Sequence, residues 1–394
     1  MRDIAAVASF GILLLTTGCG GGGNATLSTA PNVQAITVAP GPTNNVNLLF
    51  TTVTICAPGS TANCQSIDHV LVDTGSTGLR IMSSLLSPSL SLQQQTDANG
   101  NPVAECGQFA DGYTWGPVKM ADVKISGEQA ASVPIQVIAD PAFSAVPAGC
   151  SAIGPAKNSV QTLGANGLLG LGMFQQDCGI PCAQSAIPGT YYFCPSTGCQ
   201  VTQAALTRQL QNPVGMFSRD NNGVIIALPS ISVTGAFSVS GSMIFGIGTQ
   251  GNNGLGNAQV IPVDPGTGTF TTILNVVSYS NSFIDSGSNA LYFANRNIPT
   301  CVSNTAFDCP ASTLNLSATI QGTGGAARMV NFLVANAETL FAANPSFFAF
   351  RNLAGTNSHA ASFDWGLPFF FGRNVFTAIE GQNTPAGPGP FLAF

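Results

Sequence analysis

Charged side chains are scarce in this sequence. Asp, Glu, Lys and Arg make up 7% of its 394 residues, against roughly 25% in an ordinary soluble domain. Only 11 residues are Lys or Arg, they form no cluster, and the formal net charge is −6. Proteins that bind DNA or RNA need a basic surface, so this composition argues against a nucleic-acid partner.

Long hydrophobic runs are also lacking. The apolar run at residues 4–15 is too short to span a bilayer comfortably, and it leads to small residues, Cys19 and four glycines. This pattern resembles the signal of a bacterial lipoprotein, which predicts a signal peptide at 1–18 and lipidation of Cys19. The alternative is a plain secretory signal cut nearby. We expect an exported protein that is anchored to a bacterial membrane, on its periplasmic or cell-surface side.

Histidine occurs only twice, whereas cysteine occurs 11 times. Without Cys19 the cysteines number ten, an even number that favours disulfides in an exported chain. The spacing of the central four also allows a zinc site, but disulfides are favoured, and the connectivity within those four stays open. We predict no metal and no other cofactor. The ten cysteines fall into close pairs, a central cluster and a remaining two: Cys56 and Cys64; Cys301 and Cys309; Cys178, Cys182, Cys194 and Cys199; Cys106 and Cys150.

Turn-forming residues are abundant, with 45 Gly and 25 Pro, and strong helix formers are few. This composition predicts a mostly β fold with many loops. Hydrophobic residues alternate with polar ones at 118–125 and 133–138, as in strands. Residues 200–210 are the best helix candidate of the first half. Four phenylalanines are predicted to lie in the core: Phe341, Phe347, Phe348 and Phe350.

One motif occurs twice, at residues 71–77 and 283–289. Each copy has two hydrophobic residues, an aspartate, a small hydroxyl residue, a glycine and another hydroxyl residue. The aspartates, Asp73 and Asp285, lie 212 residues apart, one in each half. Later in each half, two apolar residues precede a glycine, at 168–170 and at 370–372.

The ordered motifs resemble the paired Asp-Thr/Ser-Gly loops of pepsin-like aspartic proteases across about residues 45–394. More specifically, the chain resembles an uncharacterised bacterial lipoprotein branch of that family. The resemblance implies a mostly β, two-lobed fold with the active-site cleft between the lobes. It divides the chain into a flexible tether at 19–44, an N-terminal β lobe at 45–230 and a C-terminal β lobe at 231–394.

The resemblance assigns catalysis to Asp73 and Asp285. Two carboxyl groups held close together share one proton and titrate as a unit. The ionised carboxylate can then activate a water molecule, while the protonated carboxyl donates to the peptide carbonyl oxygen. By the same resemblance, six residues support the dyad through close backbone approach, loop-to-loop hydroxyl bonds and bonds to the outer carboxylate oxygens: Thr74, Gly75, Ser76, Ser286, Gly287 and Ser288.

Three positions depart from the family pattern. Tyr113 is the predicted aromatic cover of a flap, with Phe109 as the alternative. Arg80 stands where the family has a tryptophan, and we interpret it as a solvated arginine, with binding of a substrate carboxylate as the alternative. Arg373 follows Gly372 where an acidic residue is common, and we expect it to alter the structure near the lobe junction.

The predicted activity is that of a monomeric aspartic endopeptidase whose partner is a peptide or protein substrate. Two alternatives remain open. One is a catalytically silent pepsin-like lipoprotein that binds peptides or another envelope ligand. The other is a structural lipoprotein of the envelope.

Overall fold

The structure is a computed structural model that describes residues 30–295 and 297–394. The predicted signal peptide, the lipidation site Cys19 and the first part of the predicted tether lie outside the described residues. Within them the chain is mostly β, as predicted. The strands, in chain order, are β1 (Val33–Val38), β2 (Leu49–Cys56), β3 (Cys64–Asp73), β4 (Thr77–Met82), β5 (Gln93–Gln94), β6 (Val103–Phe109), β7 (Gly112–Ile125), β8 (Glu128–Ile138), β9 (Gly167–Leu171), β10 (Tyr191–Phe193), β11 (Gln200–Val201), β12 (Gly223–Leu228), β13 (Val239–Phe245), β14 (Val260–Pro262), β15 (Phe270–Leu274), β16 (Val277–Ile284), β17 (Leu291–Phe293), β18 (Leu314–Gln321), β19 (Ala327–Val334), β20 (Ala354–Gly355), β21 (Phe363–Trp365), β22 (Arg373–Ala378), β23 (Asn383–Thr384), β24 (Gly387–Pro388) and β25 (Phe391–Ala393).

The helices of the described residues are short, as the scarcity of strong helix formers predicts. The α-helices are α1 (Ala148–Ser151), α2 (Val160–Leu163), α3 (Ile180–Gln184) and α4 (Ala337–Ala343). Single 3₁₀ turns occur at Gly41–Thr43, Ser83–Leu85, Pro88–Leu90, Pro141–Phe143, Leu206–Arg208, Val214–Met216, Thr323–Gly325 and Leu367–Phe369. No helix among these residues is long and apolar enough to cross a membrane.

Two sheets contain nearly all of the strands. The larger has 16 strands in the order β11-β10-β6-β7-β8-β4-β9-β3-β2-β1-β13-β12-β22-β25-β14, with β5 paired to β7. The smaller has seven strands in the order β19-β18-β15-β16-β21-β17-β20. The boundary predicted at residues 230 and 231 falls inside the larger sheet, because β12 pairs with both β13 and β22. The large sheet is therefore built from both halves of the chain.

Residues 33–38 correct the predicted extent of the tether. They form strand β1, which pairs antiparallel with residues 239–244 of β13. The side chains of Ile36 and Val38 are buried. The segment reads VQAITV and is mostly apolar, so a strand pattern was present, but it lies in a stretch rich in Gly, Thr, Pro and Asn that was read as tether throughout. Its pairing partner lies about 200 residues further along the chain, and that pairing could not be read from the local sequence.

The helix predicted at 200–210 is also wrong. The segment holds strand β11 and the 3₁₀ turn Leu206–Arg208 instead. The Gln209 amide, which is fully buried, donates to the carbonyl oxygens of Gly179 (2.8 Å) and Ala204 (2.7 Å). These side-chain bonds hold the backbone in an irregular path that competes with helical hydrogen bonding.

The same three-stranded arrangement occurs in both sheets. Strand β3 ends at Asp73, lies parallel to β9, and β9 pairs antiparallel with β4. Strand β16 leads into Asp285, lies parallel to β21, and β21 pairs antiparallel with β17. Each aspartate therefore lies at the C-terminal end of a strand that has a parallel neighbour.

The register of these strands corrects one sequence match. Leu168 lies opposite Leu71 in the first arrangement, and Asp364 lies opposite Phe283 in the second. The counterpart of 168–170 is therefore 364–366 and not 370–372. Residues 370–372 lead instead into β22, which pairs with β12 in the larger sheet.

All ten cysteines of the described residues form disulfides, as predicted. The central four, whose pairing was open, bond to near neighbours in the sequence. Such bonds are typical of exported proteins. The pairs are Cys56–Cys64, Cys106–Cys150, Cys178–Cys182, Cys194–Cys199 and Cys301–Cys309.

Candidate active site

The two repeated motifs meet, and their aspartates share a hydrogen-bond donor. The Gly75 N–H donates to Oδ1 of Asp73 (2.8 Å) and to Oδ1 of Asp285 (3.1 Å). The Gly287 N–H donates to Oδ1 of Asp285 as well (2.7 Å). The structure thus places the two carboxyl groups side by side at the ends of β3 and β16.

Glycine is needed at the centre of each loop. A Cβ at Gly75 would lie 2.7 Å from Cγ of Asp285, and a Cβ at Gly287 would lie 2.8 Å from Cγ of Asp73. Real Cβ atoms do not approach other heavy atoms so closely. Any side chain at either glycine would therefore push the opposite carboxyl group away.

Reciprocal hydroxyl bonds join the loops beneath the aspartates. The Thr74 N–H donates to Ser286 Oγ (3.2 Å), and the Ser286 N–H donates to Thr74 Oγ1 (3.0 Å). Each hydroxyl then donates to a carbonyl of the opposite strand, at Ile284 (3.4 Å) and Val72 (2.8 Å). Both side chains are buried. Removing either hydroxyl would leave a buried N–H without a partner, at a cost of about 1–3 kcal/mol.

The outer carboxylate oxygens are held in the same way in both halves. Ser76 Oγ donates to Oδ2 of Asp73 (2.6 Å), and Ser288 Oγ donates to Oδ2 of Asp285 (2.9 Å). Each aspartate therefore has one oxygen fixed by backbone N–H groups and the other fixed by a serine hydroxyl. These bonds hold each carboxyl group in one orientation.

The electrostatics of the pair favour one shared proton. Burial raises the pKa of Asp285 well above its usual value, and the neighbouring charges of Asp73 and Asp364 raise it further. The Gly287 N–H acts in the opposite direction. Asp285 therefore keeps its proton to a higher pH than an ordinary aspartate does.

A third carboxyl group lies at the site, and the sequence analysis missed it. Asp364, in β21, is 5% exposed and lines the same cavity as Asp73 and Asp285. Burial raises its pKa to about 8, the Ser288 hydroxyl acts against this rise, and Asp73 adds to it. A lone aspartate within an apolar run, two residues before a glycine, was the available signal. It was overlooked because the later run, 370–372, was matched instead.

The carboxyl groups open into a cavity of about 1330 Å³. Its wall includes three aromatic side chains that were predicted to be core, Phe341, Phe347 and Phe348. They are only partly buried, and of the four predicted phenylalanines Phe350 alone is fully buried. The cavity is larger than the roughly 300–1,000 Å³ of most small-molecule sites, and many polar side chains, Lys157 and His359 among them, line it beside the apolar ones.

The hairpin of β6 and β7 reaches the cavity with a different aromatic residue from the one predicted. Phe109 lines the cavity together with Ala110 and Asp111 at the hairpin tip. Tyr113 is 6% exposed and packs on the other side, with Cys106 and its neighbours. Side chains alternate between the faces of a strand, so a difference in register decides which aromatic faces the cavity. The prediction for Tyr113 is therefore corrected: Phe109 is the aromatic residue of this hairpin that lines the cavity.

Arg80 is neither solvated nor in the cavity, so both interpretations of it were wrong. The side chain is 4% exposed, and its Nη2 lies 2.5 Å from Oε1 of Glu105 and 3.6 Å from Oδ2 of Asp177. Its Nη1 donates to the carbonyl oxygen of Thr77 (2.9 Å), and the guanidinium lies over the ring of Phe109. Arg80 therefore joins the first aspartate loop to the base of the hairpin.

Arg373 stabilises a turn of the larger sheet. Its guanidinium lies over the ring of Phe369, 4.5 Å from the centroid, and its Nη1 donates to the Phe369 carbonyl oxygen (2.5 Å). Arg373 is absent from the cavity wall. It therefore acts on local structure, at the start of β22.

Comparison with known proteins identifies a family without an assigned activity. The curated proteins gave no match. One family model matches residues 28–394, which is nearly the whole chain. The chain belongs to the family described as "Protein of unknown function (DUF3443)".

Proposed function

We propose that this chain is an aspartic endopeptidase of the pepsin-like, two-lobed type. One observation carries the proposal. Asp73 and Asp285 accept hydrogen bonds from one backbone N–H, follow equivalent strands, and lie in the wall of a cavity large enough for a peptide segment. Two carboxyl groups so placed can perform general acid and general base catalysis together.

The proposed reaction needs the two carboxyl groups in different protonation states. The ionised group, which we assign to Asp73, removes a proton from a water molecule between the two. The protonated group, Asp285, donates its proton to the carbonyl oxygen of the scissile peptide bond. The water oxygen bonds to the carbonyl carbon and forms a tetrahedral intermediate. Asp73 then gives the proton it took from water to the leaving nitrogen, the C–N bond breaks, and a hydroxyl of the intermediate returns a proton to Asp285, so the enzyme regains its starting state without a covalent intermediate.

The surroundings fit this division of roles. Ser76 and Ser288 hold the outer oxygens. The inner oxygens accept from the Gly75 and Gly287 N–H groups, and each keeps lone-pair capacity for the water molecule. Phe109, at the tip of the hairpin, and Phe348 offer apolar surface on which substrate side chains can pack. The reciprocal bonds of Thr74 and Ser286 keep the distance between the two loops constant during the proton transfers.

Cleavage of a mixed peptide library tests the proposal. We expect cleavage with an acidic optimum, and inhibition by pepstatin, from assays between pH 3 and pH 8. Activity falls at low pH because the pair takes up a second proton and loses its general base. It falls at high pH when Asp285 loses its proton. The pKa of Asp285 is raised, so this upper limit lies above the pKa of about 3.9 of an ordinary aspartate.

A folded protein that cleaves no peptide at any pH would contradict the proposal. Binding of the same library without cleavage would instead support the catalytically silent peptide-binding lipoprotein. Fluorescence anisotropy with labelled peptides from the library distinguishes the two results.

We also propose that the chain is anchored through a lipid on Cys19. The support is the pattern of small residues before Cys19 and of glycines after it. Mass spectrometry of the mature N-terminus should find a diacylglyceryl group on this cysteine. An unmodified N-terminus at another residue would contradict the anchor.

A further inference from the structure

One lysine lines the cavity that holds the carboxyl pair. Among the described residues of the wall, Lys157 is the only Lys or Arg. The other ionisable groups of the wall are four carboxyl groups, one phenol and one imidazole: Asp73, Asp111, Asp285, Asp364, Tyr292 and His359. The imidazole is exposed and carries a charge only when it is protonated. A substrate carboxylate would therefore meet repulsion along most of this wall and attraction at the lysine.

Hydrogen bonds to the backbone hold Lys157 beside the hairpin of β6 and β7. The Lys157 N–H donates to the Tyr113 carbonyl oxygen (2.7 Å), and the Tyr113 N–H donates to the Pro155 carbonyl oxygen (3.0 Å). The Trp115 N–H donates to Oδ1 of Asn158 (2.9 Å). The segment that carries the lysine is therefore tied to the hairpin both before and after that residue.

The Lys157 side chain packs against the hairpin tip and is only 19% exposed. A Cβ at Gly112 would lie 3.1 Å from Cε and 3.2 Å from Cγ of Lys157, and 2.2 Å from the Pro155 carbonyl oxygen. Glycine at this position therefore leaves the space in which the stem of the lysine lies. A packed stem limits the directions in which the amine can point, which distinguishes Lys157 from a free surface lysine.

The amine of Lys157 is paired with a carboxylate that another carboxylate can replace. Its Nζ lies 2.5 Å from Oδ2 of Asp111, whose side chain is 74% exposed at the hairpin tip. An ion pair with so exposed a partner contributes little to stability, because water solvates the charge almost as well. Asp111 can therefore turn toward water when a carboxylate of a bound peptide reaches the amine.

We propose that Lys157 is a specificity-determining residue that binds a carboxylate side chain of the substrate, so that the cavity selects peptides with a Glu or Asp at one position. The inference rests on the proposed function, because it names the substrate class of that site. The two partners of the ion pair then have opposite roles, since Lys157 attracts the substrate carboxylate and Asp111 competes with it. A pair that only fixed the hairpin tip would give both residues the same role.

Peptides that differ only by Glu or Gln at one position measure this preference. Both peptide ends are blocked, and assays at about pH 5.5 keep the glutamate mostly ionised, since its unperturbed pKa is about 4.3. We expect kcat/KM to be roughly threefold to tenfold higher for the Glu peptide at one position. This ratio should fall toward one at about pH 3, where the glutamate is protonated. Preference for a Gln peptide with a free C-terminus, without preference for the Glu side chain, would overturn the inference.

Substitutions with opposite expected effects distinguish recognition from support of the fold. Lys157→Gln should bring the Glu-to-Gln ratio of kcat/KM to about one, and Lys157→Arg should retain the preference. Asp111→Asn should raise the ratio by roughly twofold, because it removes the competing carboxylate. Lys119→Gln is the matched control, since this lysine is paired with Asp140 (2.7 Å) but is absent from the cavity wall. It should leave the ratio unchanged.

Each ratio compares two substrates of one enzyme, so a general loss of activity cancels. A wild-type ratio near one at every position, or an equal fall in Lys157→Gln and Asp111→Asn, would overturn the inference and leave the proposed function standing. A fall in His359→Gln without a fall in Lys157→Gln would assign the preference to the histidine and would also overturn it.

Binding keeps the inference testable if no peptide is cleaved, a result that would refute the proposed function. Fluorescence anisotropy with the same peptides, labelled, then gives the ratio of their affinities. Tighter binding of the Glu peptide, lost in Lys157→Gln, would support carboxylate recognition in a protein without protease activity. Equal affinities, or no binding of either peptide, would overturn the inference.

Discussion

Replacing Asp73 by Asn is expected to lower kcat/KM for peptide cleavage by a factor of ~10³ or more, because general base catalysis alone contributes roughly 10²–10⁴. An amide cannot remove a proton from water. The change preserves size, and an Asn side chain still offers an oxygen to the Gly75 N–H. The Ser76 hydroxyl, which donates to Asp73, can rotate and accept from the new amide instead. The variant should therefore fold and bind peptides.

Matched substitutions make this experiment specific. Asp285→Asn should cause a loss of similar size, since the two carboxyl groups act as one unit and their effects are not additive. Asp68→Asn is the control, because this carboxylate is exposed and is absent from the cavity wall. Initial rates on one peptide from the library, measured at the optimum of the wild type, give the ratios. Cleavage that survives Asp73→Asn at the wild-type rate would refute the mechanism.

Replacing Arg80 by Met is expected to lower the free energy of unfolding by ~3–5 kcal/mol, the usual cost of removing one partner from a buried ion pair. Glu105 is 1% exposed, and its carboxylate would lose the guanidinium that lies 2.5 Å away. Asp177, also close to Arg80, would lose the same charge. Denaturant unfolding, followed by tryptophan fluorescence, measures the change.

The loss should grow as pH rises. Burial and Glu105 raise the pKa of Asp177 well above its usual value, and Arg80 opposes that rise. Without Arg80 the folded-state pKa rises further, while the unfolded-state pKa is unchanged. Stability from such a group is present below the unfolded pKa and is lost as pH rises through the folded pKa. The destabilisation should therefore be larger at pH 8 than at pH 5.

Two further variants separate charge from packing in this network. The double variant Arg80→Met with Glu105→Gln removes both charges of the closest pair and should regain much of the lost stability, since the penalty comes from an unpaired buried charge. Arg351→Met, at an exposed arginine, should change the stability by less than about 0.5 kcal/mol. Equal stability of Arg80→Met and the wild type would contradict the role given to the ion pair.

Arg80 also shows why some residues could not be interpreted from the sequence. The partners that bury its charge, Glu105 and Asp177, lie 25 or more residues away, and nothing in their local sequence marks them as partners. Phe109 and Tyr113 present a similar difficulty. Both are aromatic and both lie near the hairpin tip, so only the strand register decides which one faces the cavity.

The sequence by itself determined the local features of this protein. Composition predicted a mostly β fold, the even number of cysteines predicted disulfides, and the repeated motif marked Asp73 and Asp285 as a pair. These properties depend on residue type and on neighbours along the chain, which the sequence displays directly. The tertiary structure alone decided which elements meet. It placed Asp364 beside the pair, because that contact comes from the pairing of β21 with β16, and strand pairing between distant segments is set by the packing of the whole fold.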